Sequence, residues 1–234
     1  MNKLLVITGA SKGIGLATAK TFLENGYQVL NISRSPCELE GVQNLSLDLS
    51  TLDWVEQGAA QLGEACKDAT QIVLVHNAAM MTKDSVQTLS RDVLARVLQL
   101  NVVAAAQLNG LLIPHMEDGS SIVYIGSTLG TKAVANTHAY VVSKHATVGQ
   151  MRATCQDLAG SQIHTACICP GFTETEMLQA HLGANPEVRQ QITSGITLGR
   201  LAQPAEIAQT VWFASQNQVI NGAVIHANLG QVEH

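Results

Sequence analysis

Short apolar runs alternate with longer amphipathic stretches along the whole chain. The apolar runs predict strands at 4–8, 28–32, 45–48, 71–75, 121–126, 163–168 and 223–227. The stretches between them have helical patterns and predict helices at 14–25, 52–66, 90–116, 137–159 and 204–215. Short runs that are apolar throughout are typical of strands covered on both faces. The alternation therefore predicts an α/β fold, with about seven parallel strands, right-handed crossovers and helices on both faces of the sheet.

One stretch, 172–199, lacks a clear pattern. It contains four residues that interrupt regular structure: Gly183, Pro186, Gly195 and Gly199. We expect short helices there, on a mobile arm beside a substrate. The chain has no internal repeat, low-complexity tract or linker, so residues 1–234 are predicted to form a single domain.

Composition narrows the possible functions. The chain has 234 residues, 46% of them hydrophobic and 13% charged, which is typical of a globular domain with a sizeable core. The net charge is −5, only 3% of residues are aromatic, and there is no basic run. Binding to nucleic acid requires a basic face and stacking platforms, so we expect no nucleic-acid partner.

Cysteines and histidines are spaced in a way that argues against disulfides and metals. The five cysteines have no C-x-x-C spacing, and the eight histidines include no H-x-x-x-H pair. We therefore expect reduced, buried thiols and no metal site. No signal peptide and no apolar stretch long enough for a bilayer are evident, so the expected location is cytoplasmic, without a membrane partner.

Three glycines follow the first predicted strand and open the first predicted helix: Gly9, Gly13 and Gly15. Their spacing is G-x-x-x-G-x-G rather than the common G-x-G-x-x-G of dinucleotide sites. We expect the glycines to have the same roles in both spacings. Gly9 permits a tight turn, Gly13 lets a pyrophosphate approach the backbone, and Gly15 allows close packing of the helix. The helix N-terminus would offer amide donors to the phosphates.

The second predicted strand ends at Ser33-Arg34-Ser35, where an NAD site would carry an acidic residue for the ribose hydroxyl. Here the position holds an arginine, and Lys12 in the glycine loop is a second cation on the same side. Two cations without a carboxylate favour a pocket for the 2′-phosphate of NADP(H).

Tyr140 and Lys144 lie four residues apart in a predicted helix, with Ser127 thirteen residues before the tyrosine. On a helix the phenol and the ammonium share one face. A free phenol is a poor proton shuttle at neutral pH, but a neighbouring ammonium stabilises its phenolate. A serine hydroxyl beside them could hold a substrate oxygen. These groups together are what carbonyl reduction requires.

In order and spacing, these motifs resemble the classical short-chain dehydrogenase/reductase family along nearly the whole chain. The further matches are Asp48, Asn77-Ala78, Asn101, Pro170-Gly171-Phe-Thr-Glu-Thr175, Leu198-Gly-Arg200 through Pro204, and Asn221-Gly222. The resemblance implies a Rossmann-type doubly wound fold. It also implies a catalytic set of Asn101, Ser127, Tyr140 and Lys144, in which Tyr140 donates the proton and Lys144 assists it and bonds the nicotinamide ribose. Ser127 would orient the carbonyl, and Asn101 would hold a water that links Lys144 to solvent.

The same resemblance implies a set of residues that contact the cofactor: Gly9, Ser11, Lys12, Gly13, Ile14, Gly15, Ser33, Arg34, Asp48, Leu49, Asn77, Ala78, Ala79, Tyr140, Lys144, Pro170, Gly171, Thr173 and Thr175. Asp48 would meet the adenine, although a helix N-cap is an equal alternative for it, and Ser50 could form that cap instead.

The chain departs from the family at two places. Where the family has Asn-Asn-Ala-Gly, the chain has His76-Asn77-Ala78-Ala79. Ala79 would narrow the space near the nicotinamide, and we interpret His76 as a packed histidine at a strand end. Asn228-Leu229-Gly230 replaces the family's Asp-Gly-Gly, which leaves open the subunit contacts there.

The substrate pocket should be mostly apolar, with lining residues Met80, Met81, Leu129, Val134, His138, Phe172, Met177 and Leu178. His138 and Asn136 would bond a polar tail or face water, and no cation is placed for a substrate carboxylate unless Lys132 folds inward. A neutral small-molecule ketone or aldehyde fits best.

Two alternatives remain. One is a 3-oxoacyl carrier-protein reductase, whose acidic partner would require a basic rim around the active site. Glu117, Asp118, Glu174 and Glu176 do not suggest such a rim. The other is a catalytically silent NADP(H)-binding sensor.

Apolar residues on several faces of helices 90–116 and 137–159 predict a homo-oligomer, a tetramer or a dimer.

Overall fold

The computed structural model describes residues 2–182 and 186–231 as one α/β domain. Its strands are β1 (Lys3–Thr8), β2 (Gln28–Ser33), β3 (Val42–Ser46), β4 (Gln71–His76), β5 (Ser121–Ile125), β6 (His164–Pro170) and β7 (Ala223–Ala227). Its α-helices are α1 (Gly13–Glu24), α2 (Trp54–Cys66), α3 (Arg91–Leu98), α4 (Ala104–Leu112), α5 (His138–Asp157), α6 (Glu176–Leu182), α7 (Pro186–Ser194) and α8 (Pro204–Gln216).

All seven strands form one parallel sheet in the order β3-β2-β1-β4-β5-β6-β7. The strand order therefore reverses direction between β1 and β4. In open α/β sheets, the crevice at such a switch point, beyond the carboxyl ends of the strands, is the usual place for a ligand. The predicted Rossmann-type fold is confirmed.

Two apolar cores cover the two faces of the sheet. One contains Phe22 of α1 and Val211 of α8, and aromatic rings at Phe22, Tyr27 and Trp212 pack edge to face. The other contains Trp54 of α2 and Leu108 of α4, both with no exposed surface. Because both faces are covered, the inner strands are mostly apolar, as the sequence indicated.

The third strand differs from its prediction, because it runs from Val42 to Ser46 rather than over 45–48. It lies at the edge of the sheet and pairs only with β2, in a register that joins Val29 to Val42 and Ser33 to Ser46. An edge strand accepts polar residues on its open side, so its apolar pattern is too weak to mark its limits.

The helix predicted over 90–116 is continuous but irregular. A wide π-helical turn at Gln99–Val103 separates α3 from α4, and a tight 3₁₀ turn follows at Ile113–His115.

By length and composition alone, the run Arg91–His115 could cross a membrane, since its best window has a mean hydropathy of 1.4. The expectation that no stretch reaches that length is therefore wrong. In the fold this run packs against the sheet through Leu108 and Leu112, as core helices do.

The arm at 172–199 contains α6 and α7, as the prediction of short helices required. Gly183 lies outside the described residues. The arm returns to the sheet at its far end, where Thr197 N donates to Gly230 O at 3.2 Å.

The cysteines are all free, and only one departs from the predicted burial. Cys37, Cys66, Cys167 and Cys169 are buried, whereas Cys155 is partly exposed.

Close packing at Gly15 fixes the glycine loop. A Cβ atom at this position would lie 2.2 Å from Gly9 O and 2.6 Å from Asn77 Nδ2. Both are much shorter than a van der Waals contact, so only glycine allows the helix to begin this close to the first turn. Gly9 itself has a φ of 73°, in the left-handed region that favours glycine.

We expect Gly15→Ala to lower the free energy of unfolding by about 1–3 kcal/mol, because the new methyl group must displace the loop. Gly63→Ala is the matched control. Gly63 lies inside α2, where a new Cβ would meet only His115 Nε2 at 3.9 Å. This control should raise stability by roughly 0.5–1 kcal/mol. Urea unfolding of the three proteins measures both effects, and a Gly15→Ala variant as stable as the wild type would contradict this account of the loop.

Candidate active site

A cavity of about 470 Å³ runs along the carboxyl ends of the strands. Among the predicted cofactor and catalytic residues, those that line it are Gly9, Ser11, Lys12, Gly13, Ile14, Ser33, Arg34, Asp48, Leu49, Asn77, Ala78, Ala79, Ser127, Tyr140, Lys144, Pro170, Gly171, Thr173 and Thr175. Gly15 and Asn101 do not line it. Gly15 lies under the loop, and Asn101 lies behind Lys144, as described below.

Side chains from two neighbouring strands hold the glycine loop in place. Asn31 of β2 is buried, and its Oδ1 accepts a hydrogen bond from Ala10 N at 2.9 Å. Asn77, just past β4, donates from Nδ2 to Thr8 O and Gly9 O at 3.0 and 2.9 Å. The side-chain amide of Asn77 thus holds the glycine loop in place, in addition to the cofactor contact that the resemblance implies for this residue.

The N-terminus of α1 is suited to an anion. No side chain caps it, and its first turn contains no acidic residue. Gly13 has a φ of 57°, and Thr175 of the arm lies against it, since a Cβ on Gly13 would be 3.2 Å from Thr175 Cγ2. A diphosphate at this place would receive the free amides of the first turn from one side and a threonine from the other. The loop therefore fits a dinucleotide.

The proposed catalytic side chains meet at the middle of the cavity. Tyr140 and Lys144 lie one turn apart on α5, with Lys144 Nζ 5.5 Å from the centroid of the Tyr140 ring. Lys144 is 4% exposed, and its Nζ donates to Ile125 O, the last carbonyl of β5, at 2.7 Å. Ser127 lies two residues further on, and its Oγ accepts a hydrogen bond from Leu129 N at 3.1 Å.

The serine is held by close packing behind it. A Cβ atom on Gly126 would lie 2.8 and 2.9 Å from the sulfurs of Cys167 and Cys169 on β6. The glycine therefore lets the backbone before Ser127 lie directly on the neighbouring strand. The hydroxyl proton of Ser127 remains available to a substrate oxygen.

A remote carboxylate fixes the start of the helix that holds Tyr140. Asp84 is buried, and its Oδ1 accepts a hydrogen bond from Ala139 N at 2.9 Å. Thr82 Oγ1 donates to the other carboxylate oxygen, at 2.5 Å. This contact places a negative charge at the positive end of α5 and satisfies one of its free amides. Sequence spacing did not reveal it, because the cap comes from a loop more than fifty residues away.

Asn101 lies in the π-helical turn, a local irregularity that often occurs at functional sites. Its Oδ1 accepts a hydrogen bond from Met80 N at 2.9 Å, and its Nδ2 donates to Met80 O at 3.0 Å and to Ser143 Oγ at 2.9 Å. Ser143 in turn donates to Tyr140 O. Asn101 thus connects the loop after β4 to the first turn of α5.

A second, very small cavity of about 10 Å³ lies behind the lysine, with Asn101, Lys144, His76 and Thr147 among its lining residues. This is about the space that one water requires. The water-holding role that the family resemblance implies for Asn101 has room here and stays a prediction.

His76 is packed in the core, as interpreted from its position at a strand end. Its Nε2 lies 2.8 Å from Asn109 Oδ1, and its ring lies 4.7 Å from that of Tyr124. Burial lowers the pKa of His76 to about 4, so its ring is neutral at physiological pH. Ala79 lines the 470 Å³ cavity, so its methyl group is in a position to narrow the space near the nicotinamide, as predicted.

The outer end of the cavity, beyond β2 and β3, is lined by Lys12, Arg34, Arg96 and Asp48. Asp48 caps no helix, and neither does Ser50, since the residue before α2 is Asp53. Instead, Asp48 Oδ1 accepts hydrogen bonds from Ser50 Oγ at 2.6 Å and Ser50 N at 2.9 Å. These bonds, aided by Arg34 and Arg96, lower the pKa of Asp48, so the carboxylate is charged at neutral pH.

The opposite end of the cavity is apolar. Seven of the eight predicted pocket residues line it: Met80, Met81, Leu129, Val134, Phe172, Met177 and Leu178. The prediction for His138 is wrong, because this exposed residue at the start of α5 does not line the cavity, whereas Thr137 and Tyr140 on either side of it do. Asn136 and Lys132 are also absent from the lining.

The sequence did not single out several residues that line the cavity, above all Arg96, Leu100 and Gln231. Arg96 and Leu100 are four residues apart in one helical run and therefore share a face of the helix. If one of them had been assigned to the cavity, the helical period would have indicated the other. Gln231 follows the last strand, in a segment where the chain departs from the family pattern.

The sequence matches a family model described as enoyl-(acyl carrier protein) reductase over residues 9–231. Carbonyl reductase family member 4 of Danio rerio is 29% identical over 96% of this chain and 96% of its own. The 3-oxoacyl-[acyl-carrier-protein] reductase FabG of Vibrio harveyi is 25% identical over 97% and 96%.

Solved structures agree with the fold. The angucycline C-6 ketoreductase LanV with bound NADP has a TM-score of 0.87 and 26% identity, and it covers 98% of this chain and 95% of its own. A 4-hydroxyisoleucine dehydrogenase complexed with NADH has a TM-score of 0.89 and 25% identity, covering 98% of each chain. With its glycine loop, strand order and Ser127–Tyr140–Lys144 site, the chain belongs to the short-chain dehydrogenase/reductase family.

Proposed function

We propose that this protein reduces a small, mostly apolar ketone or aldehyde to the alcohol, with NADPH as the cofactor and Tyr140 as the proton donor. The observation that carries the proposal is the meeting of Ser127, Tyr140 and Lys144 inside one cavity, between a dinucleotide loop and an apolar pocket. Relatives named as carbonyl reductases support the same reaction class.

The residues divide the chemistry among them. Bound NADPH would supply a hydride to the carbonyl carbon. Ser127 would donate a hydrogen bond to the carbonyl oxygen and hold it beside the Tyr140 hydroxyl. Tyr140 would transfer its proton to that oxygen as the C–O double bond becomes single, which leaves a phenolate. The Lys144 ammonium would stabilise the phenolate, and solvent would return the proton.

Binding of Lys144 to Ile125 O is what makes this arrangement rigid. The lysine has three donors, and one is fixed on the strand carbonyl at 2.7 Å. The remaining two are free to serve the tyrosine and the nicotinamide ribose that the resemblance assigns to it. A rigid ammonium stabilises the developing phenolate without having to reorganise.

The cationic end of the cavity supports NADPH rather than NADH. One of the two solved relatives described above contains NADP and the other contains NADH, so they do not indicate which cofactor this chain prefers. The preference has to be inferred from the side chains that line the cavity. Arg34 follows β2 directly, Lys12 lies in the glycine loop, and both line the cavity. Arg96 adds a third positive charge there, and it acts on Asp48 as Arg34 does. Together they offset the Asp48 carboxylate and leave positive charge for a 2′-phosphate.

The alternative of a 3-oxoacyl carrier-protein reductase is favoured by the relative from Vibrio harveyi. One part of the case against it is wrong. Glu117 and Asp118 precede β5, at the amino ends of the strands, so they do not belong to the rim of the cavity. Glu176 lines the cavity, and Glu174, two residues before it on the arm, is paired with Arg189. An acidic carrier protein would meet little positive charge at this arm.

Oxidation of NADPH with a panel of carbonyl compounds, including a 3-oxoacyl carrier protein, distinguishes these possibilities. Turnover of small ketones or aldehydes supports our proposal, and turnover of the carrier-protein substrate alone supports the alternative. No turnover of any carbonyl, together with tight NADPH binding, would instead indicate a sensor.

We also propose a homo-oligomer formed through the π-helical turn before α4 and through α5. Ala104, Ala105, Val148 and Met151 are buried within the domain, so they do not explain the apolar outer faces. Val103 and Val142, however, are 41% and 40% exposed. Exposed valines on neighbouring helices suit a contact with a second copy of the chain.

Tyr140→Phe should lower turnover about 10²-fold or more, because only the proton donor is removed, while NADPH affinity stays nearly unchanged. Tyr27→Phe is the matched control, since Tyr27 packs between α1 and α8, away from the cavity. Steady-state kinetics and cofactor titration measure both. A Tyr140→Phe enzyme with wild-type turnover would rule out the assignment.

NADPH should bind about tenfold to a thousandfold more tightly than NADH, a difference of ~1.4–4 kcal/mol. Arg34→Ala should remove much of this difference by weakening NADPH and sparing NADH. Arg91→Ala, an exposed arginine of α3 that does not line the cavity, should leave both affinities unchanged. Titrations of both cofactors decide the matter, and equal affinities in the wild type would contradict the NADPH preference.

Light scattering at micromolar concentration should give a mass of two or four chains. The double variant Val103→Glu, Val142→Glu should dissociate, because charges replace apolar contacts. Val219→Glu, at a valine that is 90% exposed in the turn after α8, should not. A wild-type mass near the 24.8 kDa of one chain would refute self-association.

A further inference from the structure

His76 lies between the core and the small cavity behind Lys144. The residue is 8% exposed, and it lines this cavity of about 10 Å³ but not the large one. Its Nε2 is bonded to Asn109, whereas its Nδ1 has no hydrogen-bonding partner among the residues that the structure describes. Nδ1 is not fully enclosed, so a group in the small cavity can reach it.

A chain of hydrogen bonds fixes which nitrogen of His76 carries the proton. Thr154 Oγ1 donates to Gln150 O, a carbonyl that can only accept, so it must itself accept from the Tyr124 hydroxyl at 3.0 Å. Since Tyr124 has given its one proton away, its oxygen accepts from Asn109 Nδ2 at 2.7 Å. Asn109 Oδ1 therefore faces His76, and the proton of the neutral ring lies on Nε2, 2.8 Å away. Nδ1 is left as a bare acceptor.

A second side chain on the wall of the small cavity is also limited to accepting. Thr147 follows Lys144 on α5 by nearly one turn, it is buried, and its Oγ1 donates to Ser143 O at 3.0 Å. Because its proton is used, this oxygen can only accept from a group in the cavity. His76 and Thr147 thus present two acceptors to a space that holds one water.

Two donors line the same small cavity. Thr8 Oγ1 accepts from Asn77 N and Ala78 N at 3.0 and 2.9 Å, which uses its lone pairs and leaves its proton to donate. Lys144 Nζ adjoins the cavity beside its bond to Ile125 O, since both residues line it. A water with two acceptors and two donors around it has as many partners as a buried water can use.

The side-chain amide of Asn101, which also lines the small cavity, is engaged elsewhere. Both hydrogens of its Nδ2 are used, on Met80 O and Ser143 Oγ, and its Oδ1 already accepts from Met80 N. The side chains that can orient a water in this space are therefore His76 and Thr147.

The orientation of this water matters because Lys144 is charged and nearly buried. Protons directed to His76 Nδ1 and Thr147 Oγ1 turn a lone pair of the water toward Nζ. The water would share the donor that Lys144 directs to Ile125 O, in a three-centre hydrogen bond, and the other two donors stay available. A buried ammonium is stabilised by each acceptor that it gains.

We propose that His76 is a positioning residue for Lys144, which acts by orienting one water through Nδ1 in the small cavity. This inference rests on the proposed carbonyl reduction, because its kinetic effect requires that Lys144 assists Tyr140. His76 does not line the large cavity, so it acts on the reaction through the lysine and not by contact with substrate or cofactor.

Two substitutions separate the two nitrogens of His76. Asparagine places a polar atom where Nδ1 lies, and glutamine places one where Nε2 lies. His76→Asn should therefore keep the water and lose the bond to Asn109, whereas His76→Gln should do the reverse. We expect the single-turnover rate of NADPH oxidation by a saturating ketone to fall about tenfold in His76→Gln and to stay near the wild-type rate in His76→Asn. NADPH affinity and the KM of the ketone should change little in either variant.

Thr147→Val tests the same water without altering His76. It removes the second acceptor and should lower the single-turnover rate about threefold or more. Thr210→Val is the matched control, because Thr210 Oγ1 also donates to the carbonyl four residues earlier, on α8 and outside both cavities. This control should keep the wild-type rate. The thermal unfolding temperature verifies that each variant is folded.

A crystal structure of the wild type tests the water independently of any activity. We expect one ordered water within hydrogen-bond distance of His76 Nδ1, Thr147 Oγ1 and Lys144 Nζ. The same water should be present in His76→Asn and lost in His76→Gln.

Several results would overturn the proposal. A wild-type rate in His76→Gln means that Nδ1 does not matter, and a loss in His76→Asn alone means that the ring acts through Asn109. If both variants lose the rate, Thr147→Val decides, since a loss there supports the water and a wild-type rate refutes it. If the wild type reduces no carbonyl of the panel, the proposed function fails and the role of His76 falls with it. Reduction of carbonyls by a wild type without an ordered water at His76 Nδ1 removes only the role of His76.

Discussion

The hydrogen bond from Lys144 Nζ to Ile125 O is the contact on which the site depends. It joins a nearly buried ammonium to the last carbonyl of β5, at 2.7 Å. A charge removed from water is costly unless it is hydrogen-bonded, so the lysine cannot easily leave this carbonyl. The bond thereby fixes α5 over the end of the sheet. Tyr140, one turn earlier, and Ser127, two residues beyond the carbonyl, then face the same cavity.

Other contacts keep the same helix in place from different directions. Asp84 accepts a hydrogen bond from its first turn, and Asn101 reaches it through Ser143. Each such hydrogen bond contributes only about 0.5–1.5 kcal/mol to the stability of the fold. Together they fix the position of α5, and with it that of Tyr140. A tyrosine that must donate a proton to a bound carbonyl requires a position fixed to a fraction of an ångström, which several weak contacts from separate loops can provide.

Much of this architecture could be predicted from the sequence. Parallel strands end at one edge of the sheet, so the glycine loop, Ser127 and Pro170 had to meet once their strands were recognised. The spacing of Tyr140 and Lys144 gave a shared helix face because the helical period is fixed. The glycines were informative because packing at Gly15 leaves no room for a side chain.

The rest depends on contacts that local patterns do not encode. The π-helical turn at Gln99–Val103 changes the direction of Asn101 without any sequence signal of its own. The edge strand β3 lies earlier than predicted because only its pairing with β2 sets its limits. Glu117 and Asp118 were assigned to the wrong end of the sheet, since charge alone does not show which end a loop occupies. Gln231 reaches the cavity only because the segment after β7 packs against the arm.

The central claim is that this cavity transfers a hydride directly between a nicotinamide and a carbonyl carbon held at Tyr140. The most direct test uses NADPH deuterated separately at each face of the nicotinamide C4 position, with the best carbonyl substrate of the panel. One bound orientation requires that deuterium from one face appears on the carbinol carbon of the alcohol, and that none is transferred from the other face. Alcohol without deuterium from either face, or with deuterium from both, would contradict this account.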